Sequence, residues 1–95
     1  MLKITPLQFQ DLMCVKVHQA RIMGIYYDSI NSIVYTISED KTLRIGDGTS
    51  LVQIASIPHK DALLIMNADK LNKRLFIGTK GGQVLLYDIS SVNIK

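Results

Sequence analysis

Tryptophan is absent from this 95-residue chain, cysteine occurs once, at Cys14, and proline only twice. A single cysteine excludes an internal disulfide and any zinc finger built on several thiolates. It fits a reducing compartment, the cytoplasm, and its simplest reading is a small buried hydrophobe. No apolar run is longer than Ala62 to Met66, far short of the roughly 20 residues that span a bilayer. Pro6 and the polar stretch from Gln8 to Asp11 interrupt any signal-peptide core, and neither end carries a lipidation motif. Charge of one sign is scarce too. Eleven basic residues against eight acidic give a net charge of +3, and no Lys/Arg run exceeds two residues. This excess is too small and scattered to indicate nucleic acid. With 47% apolar and 20% charged residues, the chain is globular and at most one small domain.

What the sequence does have is a repeat. Residues from His18 onward recur without a gap 41 positions later: His18 maps to His59, Asp28 to Asp69, Asn31 to Asn72 and Asp47 to Asp88. Apolar positions coincide between these anchors, at Ile22/Leu63, Ile25/Met66, Val34/Leu75, Tyr35/Phe76, Leu43/Val84 and Ile45/Leu86. A period of about 40–45 residues is the length of one four-stranded propeller blade.

Short apolar runs bounded by turn formers read as strands throughout. In the first copy they are expected at Ile22–Tyr27, Ile33–Ser38, Thr42–Gly46 and Leu51–Ile57. In the second they are expected at Ala62–Asn67, Arg74–Thr79 and Gln83–Tyr87, with Gly81-Gly82 supplying a hairpin turn that needs positive φ. The apolar anchors of the first strand fall at 22, 25 and 27, and again at 63, 66 and 68. This spacing breaks the period of two, and one extra residue, a β-bulge, restores the facing.

Met1-Leu2-Lys3-Ile4 aligns with Thr42-Leu43-Arg44-Ile45 at the same offset. Residues 1–17 therefore read as the third and fourth strands of an earlier blade. Residues 18–58 are a first repeat and 59–95 a second with its last strand incomplete. The fold class is all-β, a partial propeller of about two antiparallel four-stranded blades. Propellers close with about four to eight blades. Two alone leave open faces and edges, so a piece of a longer propeller, or several chains in one ring, is expected, the former ahead of the latter.

Ser38-Glu39-Asp40-Lys41-Thr42-Leu43-Arg44-Ile45-Gly46-Asp47 resembles the signature end of a WD repeat. His18, 22 residues before Asp40, stands where that family has its Gly-His histidine. The resemblance implies a network in which this histidine meets the turn aspartate, a Ser/Thr of the second strand and a Trp of the third. The first copy keeps His18, Ser38 and Asp40 but has Gly46 at the Trp position. The second keeps His59 and Thr79, with Gly81 for the aspartate and Tyr87 for Trp, so it cannot make the His–Asp bond. Val17-His18-Gln19 and Phe76-Ile77-Gly78 are also similar to repeats of proteins that join WD repeats to a FYVE zinc finger. That subfamily implies an endosomal, phosphoinositide-linked setting, with membrane contact only indirect.

No catalytic constellation is visible. Gly78-Thr79-Lys80-Gly81-Gly82 lacks P-loop spacing, and Asp40, Asp47 and Asp88 are explained as turn residues. Tyr27 falls on an apolar strand position and is expected to pack in the core or on its flank rather than stack on bases. Lys70, Lys73 and Arg74 read as a solvated loop. The expected function is a non-enzymatic protein-interaction scaffold with no cofactor or metal. Its partners are other proteins, and either the remaining blades of a parent propeller or further copies of itself. The resemblance places partner contacts at Arg21, Met23 and Glu39, and at Ala62, Leu64 and Lys80.

Overall fold

The computed structural model describes residues 13–90. Seven strands and no helix occur among them: β1 (Ile22–Asp28), β2 (Ile33–Ser38), β3 (Thr42–Asp47), β4 (Gln53–Pro58), β5 (Leu63–Asp69), β6 (Arg74–Thr79) and β7 (Val84–Asp88). Each pairs antiparallel with its neighbour in sequence, giving one sheet of order β1-β2-β3-β4 and one of order β5-β6-β7. This is the all-β architecture expected, and the strands β2 and β6 fall on the residues foreseen. The fourth strand of the first sheet starts later than expected, at Gln53, because Leu51 turns into the left-handed region at φ 61°.

The 41-residue offset holds down to single hydrogen bonds. The register of β1 on β2 slips between Ile22 and Gly24, and that of β5 on β6 between Leu63 and Ile65, so both copies carry the bulge. Glu39 N donates to Arg21 O at 3.0 Å, and Lys80 N to Ala62 O at 2.9 Å. Lys41 and Gly82 occupy the same turn position with φ 74° and 84°, and Ser32 and Lys73 share φ 54° and 56°. The Asp and Asn anchors close matching turns. Asn31 Nδ2 donates to Asp28 Oδ2 at 2.8 Å, and Asn72 Nδ2 to Asp69 Oδ2 at 2.9 Å. Such side-chain bonds to a nearby backbone and amide fix the loop without a secondary-structure partner.

The sheets pack face to face, with β1 and β2 against β5. Alternation along the strands assigns the faces. The first sheet presents Tyr26, Ile33, Tyr35, Ile37, Leu43 and Ile45, and the second answers with Met66, Ala68, Leu75, Ile77, Leu85 and Tyr87. Burying each large side chain contributes about 1.5–3 kcal/mol. Gly24 permits the approach: a Cβ there would sit 3.1 Å from Ile37 and 3.3 Å from Met66. A side chain would hold the sheets apart.

Several expectations are corrected by where these faces fall. Ile22, Ile25 and Tyr27 are 47, 70 and 50% exposed, while Met23 and Tyr26 pack against the core. The anchors lie on the face turned away from the second sheet; their equivalents Leu63, Met66 and Ala68 have the first sheet to cover them. Tyr27 is thus not a core residue; Tyr26 is, stacked on Tyr35 with centroids 5.9 Å apart. Cys14 is exposed rather than buried, because residues 13–17 form no strand. They have no sheet to join among the described residues. The rest of the expected earlier blade, residues 1–12, and the expected final strand beyond Ser90 lie outside the described residues.

Candidate functional site

His18 is buried, 3% exposed, in the stretch that leads into β1. Its Nδ1 lies 3.0 Å from Asp40 Oδ2 and its Nε2 lies 2.7 Å from Thr36 Oγ1. A carboxylate only accepts, so Nδ1 carries the proton and the Thr36 hydroxyl donates to Nε2. Asp40 sits in the β2–β3 turn and gathers three further donors and one nearby cation. Gln19 N donates to Oδ2 at 2.9 Å, Thr42 N and Thr42 Oγ1 donate to Oδ1 at 2.9 and 2.6 Å, and the Arg44 guanidinium stands 3.9 Å away. Burial pushes the Asp40 carboxyl up. Bonds from the Thr42 hydroxyl, the Gln19 backbone, His18 and the Thr42 backbone outweigh it and hold it well below the usual carboxylate range. Arg44 also donates to the Val17 carbonyl at 2.6 Å, tying the segment before His18 to β3.

The hydroxyls that reach His18 are therefore those of Thr36 and Thr42, the latter 3.1 Å from Nδ1, and not that of Ser38. Ser38 Oγ accepts from Asp40 N at 3.0 Å and braces the turn instead. Thr36, Thr42 and Arg44 were not singled out from the sequence. The available signal was their alternation with the apolar residues of β2 and β3, on the face that carries His18.

In the second copy every one of those partners is replaced. The equivalents of Thr36, Asp40, Thr42 and Arg44 are Ile77, Gly81, Gln83 and Leu85. His59 is held from elsewhere: the Tyr87 hydroxyl lies 2.6 Å from its Nε2, with the rings edge to face at 5.9 Å. Burial raises the Tyr87 hydroxyl above its ordinary value. Thr79 does not touch His59; its Oγ1 accepts from Gln83 N at 3.1 Å. Gly81 leaves room that Asp61 fills, since a Cβ there would collide with the Asp61 carboxylate.

Both histidines are thus committed to holding loops. Each nitrogen of His18 is bonded within the protein, Nδ1 to Asp40 and Nε2 to Thr36, so neither offers a free lone pair to a metal. Among the described residues, no three His, Cys, Asp or Glu side chains converge.

The expected partner face is brought together in part. Glu39 and Lys80 line one cleft of about 430 Å³ with Lys41, Asp61, Ala62 and Gly81, where the two sheets meet at the β2–β3 and β6–β7 turns. Arg21 stands beside it, exposed, its Nε 3.6 Å from Glu39 Oε1. Met23 is turned into the core, and Leu64 is half-buried, so neither is a free surface residue. Lys41 and Asp61 join the cleft unforeseen, as the residues beside the turn aspartate and the second histidine. At the other end, hydrogen bonds from Asn31, Asn72 and Ser90 hold the Asp28, Asp69 and Asp88 carboxyls below their ordinary values, with smaller contributions from the charges of Lys73 and Arg74.

No family model matches the chain. It is similar to the pre-rRNA-processing protein IPI3 of Yarrowia lipolytica, 37% identical over 62 residues, which is 60% of this chain and 15% of that protein. The chain thus spans a small part of the relative it matches. The similarity lends no weight to the FYVE subfamily.

Proposed function

We propose that this chain is a pair of WD-repeat blades and acts as a non-catalytic protein-interaction scaffold, with its partner at the turn end of the stacked sheets. The observation that carries this is the division of polar groups. His18 is bonded to the turn aspartate and His59 to the Tyr87 hydroxyl, while Glu39, Lys41, Asp61 and Lys80 edge an open cleft that spans both repeats. Charges of both signs around a cleft suit a polar protein surface, giving register and selectivity more than raw affinity. The small net charge gives no comparable support to nucleic acid or a membrane. A reducing compartment, the cytoplasm in the first instance, suits the exposed thiol of Cys14. The similarity to a pre-rRNA-processing protein makes proteins that act in that process the first partners to test.

The test compares the tagged chain with a double charge reversal, Glu39→Arg with Lys80→Glu, by quantitative affinity mass spectrometry. Both residues are exposed, so melting should match the parent. Selective loss of the same protein from the variant supports the reading. Identical protein sets from both chains, with folding intact, contradict it.

A further inference from the structure

The outer face of the β5-β6-β7 sheet is apolar and open: Ile65, Phe76, Val84 and Leu86 are 64, 37, 73 and 56% exposed. At the 41-residue offset they are the equivalents of Gly24, Tyr35, Leu43 and Ile45. Those four lie on the face of the first sheet that packs on the second, where Tyr35 and Leu43 are almost fully buried. The face with no cover is therefore the repeat image of one whose cover is visible in the structure. That cover consists of Met66, Ala68, Leu75 and Ile77. Their own equivalents are Ile25, Tyr27, Val34 and Thr36, on the outer face of the first sheet, where Ile25 and Tyr27 stand half-exposed or more. The two open faces of one chain are thus images of the two faces that already meet inside it.

A second complementarity runs along the sheet edge. The second sheet ends at β7 among the described residues, whereas the first continues to β4. Shifting β4 by the same offset lands on residues 12–17, of which 13–17 are described. These belong to no strand, are tied to the first sheet by the Arg44 bond to the Val17 carbonyl, and carry Met13 and Val15 to solvent. The register of β3 on β4 pairs Leu43 with Ile57, Arg44 with Ser56 and Ile45 with Ala55. The translated register pairs Val84 with Lys16, Leu85 with Val15 and Leu86 with Cys14.

We propose that a second copy of this chain covers the outer face of the β5-β6-β7 sheet, head to tail, with its residues 13–17 paired along β7 and its β1-β2-β3-β4 sheet stacked behind. This rests on the stacked-blade reading and goes beyond it in naming the occupant. The contact is heterologous, so repetition closes a ring or grows a filament. Closure at about four to eight blades corresponds to two to four copies, about 21 to 42 kDa from chains of 10.6 kDa.

The test is Leu86→Cys in the 95-residue chain, oxidised with glutathione disulfide and run without reductant. The native thiol of Cys14 then faces the new one across the copies, and covalent multimers are expected at high yield. Ser56→Cys, on the far edge strand of the first sheet, is expected to give few. Equal yields from the two variants, or none from either, overturn the proposal. Sedimentation of the unmodified chain supplies a second readout. A discrete species of two to four copies that Phe76→Lys with Leu86→Lys converts to a monomer supports it. A monomer at every concentration, or aggregation indifferent to those lysines, overturns it. A folded monomer that still holds its partner through the turn cleft would leave the scaffold reading standing and remove only the second copy.

Discussion

The Tyr87 hydroxyl lies 2.6 Å from His59 Nε2, in the copy of the repeat whose turn aspartate is a glycine. In the other copy, position 46 is glycine and the aspartate is present, 3.0 Å from His18. The two repeats hold the same histidine by two routes. One is a charged, multiply bonded turn; the other is a single aromatic hydroxyl reaching from the third strand. The first buries more polar atoms and satisfies more of them, so its loss leaves more unpaired.

Removing the histidines should therefore have unequal effects. His18→Ala leaves the buried Thr36 hydroxyl unpaired and removes one of the bonds to the Asp40 carboxylate, and should cost about 2 kcal/mol or more. His59→Ala leaves only the half-buried Tyr87 hydroxyl, and should cost about 1 kcal/mol. Urea unfolding of both variants measures the difference, and equal losses would show the turn network to be idle.

Acid should act through Asp40. Its carboxyl is held below the usual range in the folded chain, so its stabilisation is present above the unfolded value of about 4. It drains away as pH falls from there toward the lower folded value, because the unfolded chain takes up the proton first. Asp40→Asn should be less stable at neutral pH and flatter across that acid range. Parallel acid profiles for the two chains would exclude Asp40 as the group responsible.

Tyr35 makes the opposite kind of prediction. Its hydroxyl is buried between the sheets and hydrogen-bonds to no protein group. Burial, with Asp28 and Tyr26 adding, pushes it up to about 12. Its contribution is complete below about pH 10, the unfolded value, and is lost as pH rises, since the unfolded hydroxyl ionises first. Tyr35→Phe should melt at or above the parent temperature and lose part of the alkaline sensitivity. A destabilisation beyond about 1 kcal/mol would mean that the hydroxyl is bonded after all.

Restoring the missing aspartate should fail. Gly81→Asp runs into the Asp61 carboxylate and sets two like charges together, so it should destabilise the chain. Adding Asp61→Ala should recover most of that loss. If Gly81→Asp alone stabilises, Asp61 does not occupy the space described.

Much of this was legible in the chain. The 41-residue offset located all seven strands within a few residues, and the irregular spacing at 22, 25 and 27 announced the bulge. Which face of a strand is covered was not legible, because the same apolar position is open in the first copy and packed in the second. Met66 is covered by the first sheet, whereas Ile25 stands open among the described residues. The polar partners were partly hidden for a related reason. Thr36 and Thr42 look like ordinary strand residues until the loop carrying His18 is folded back over them. Tyr87 was visible only as the occupant of a position, and its bond to His59 needed the fold.

The most direct measurement is a double-mutant cycle on His59 and Tyr87, using His59→Ala and Tyr87→Phe by urea unfolding. The rings share no other hydrogen bond in the structure, so the coupling reports that contact alone. Coupling of about 1 kcal/mol is expected if the hydroxyl stands in for the missing turn aspartate. Simple additivity would contradict it, and with it the claim that each repeat locks its histidine by its own route.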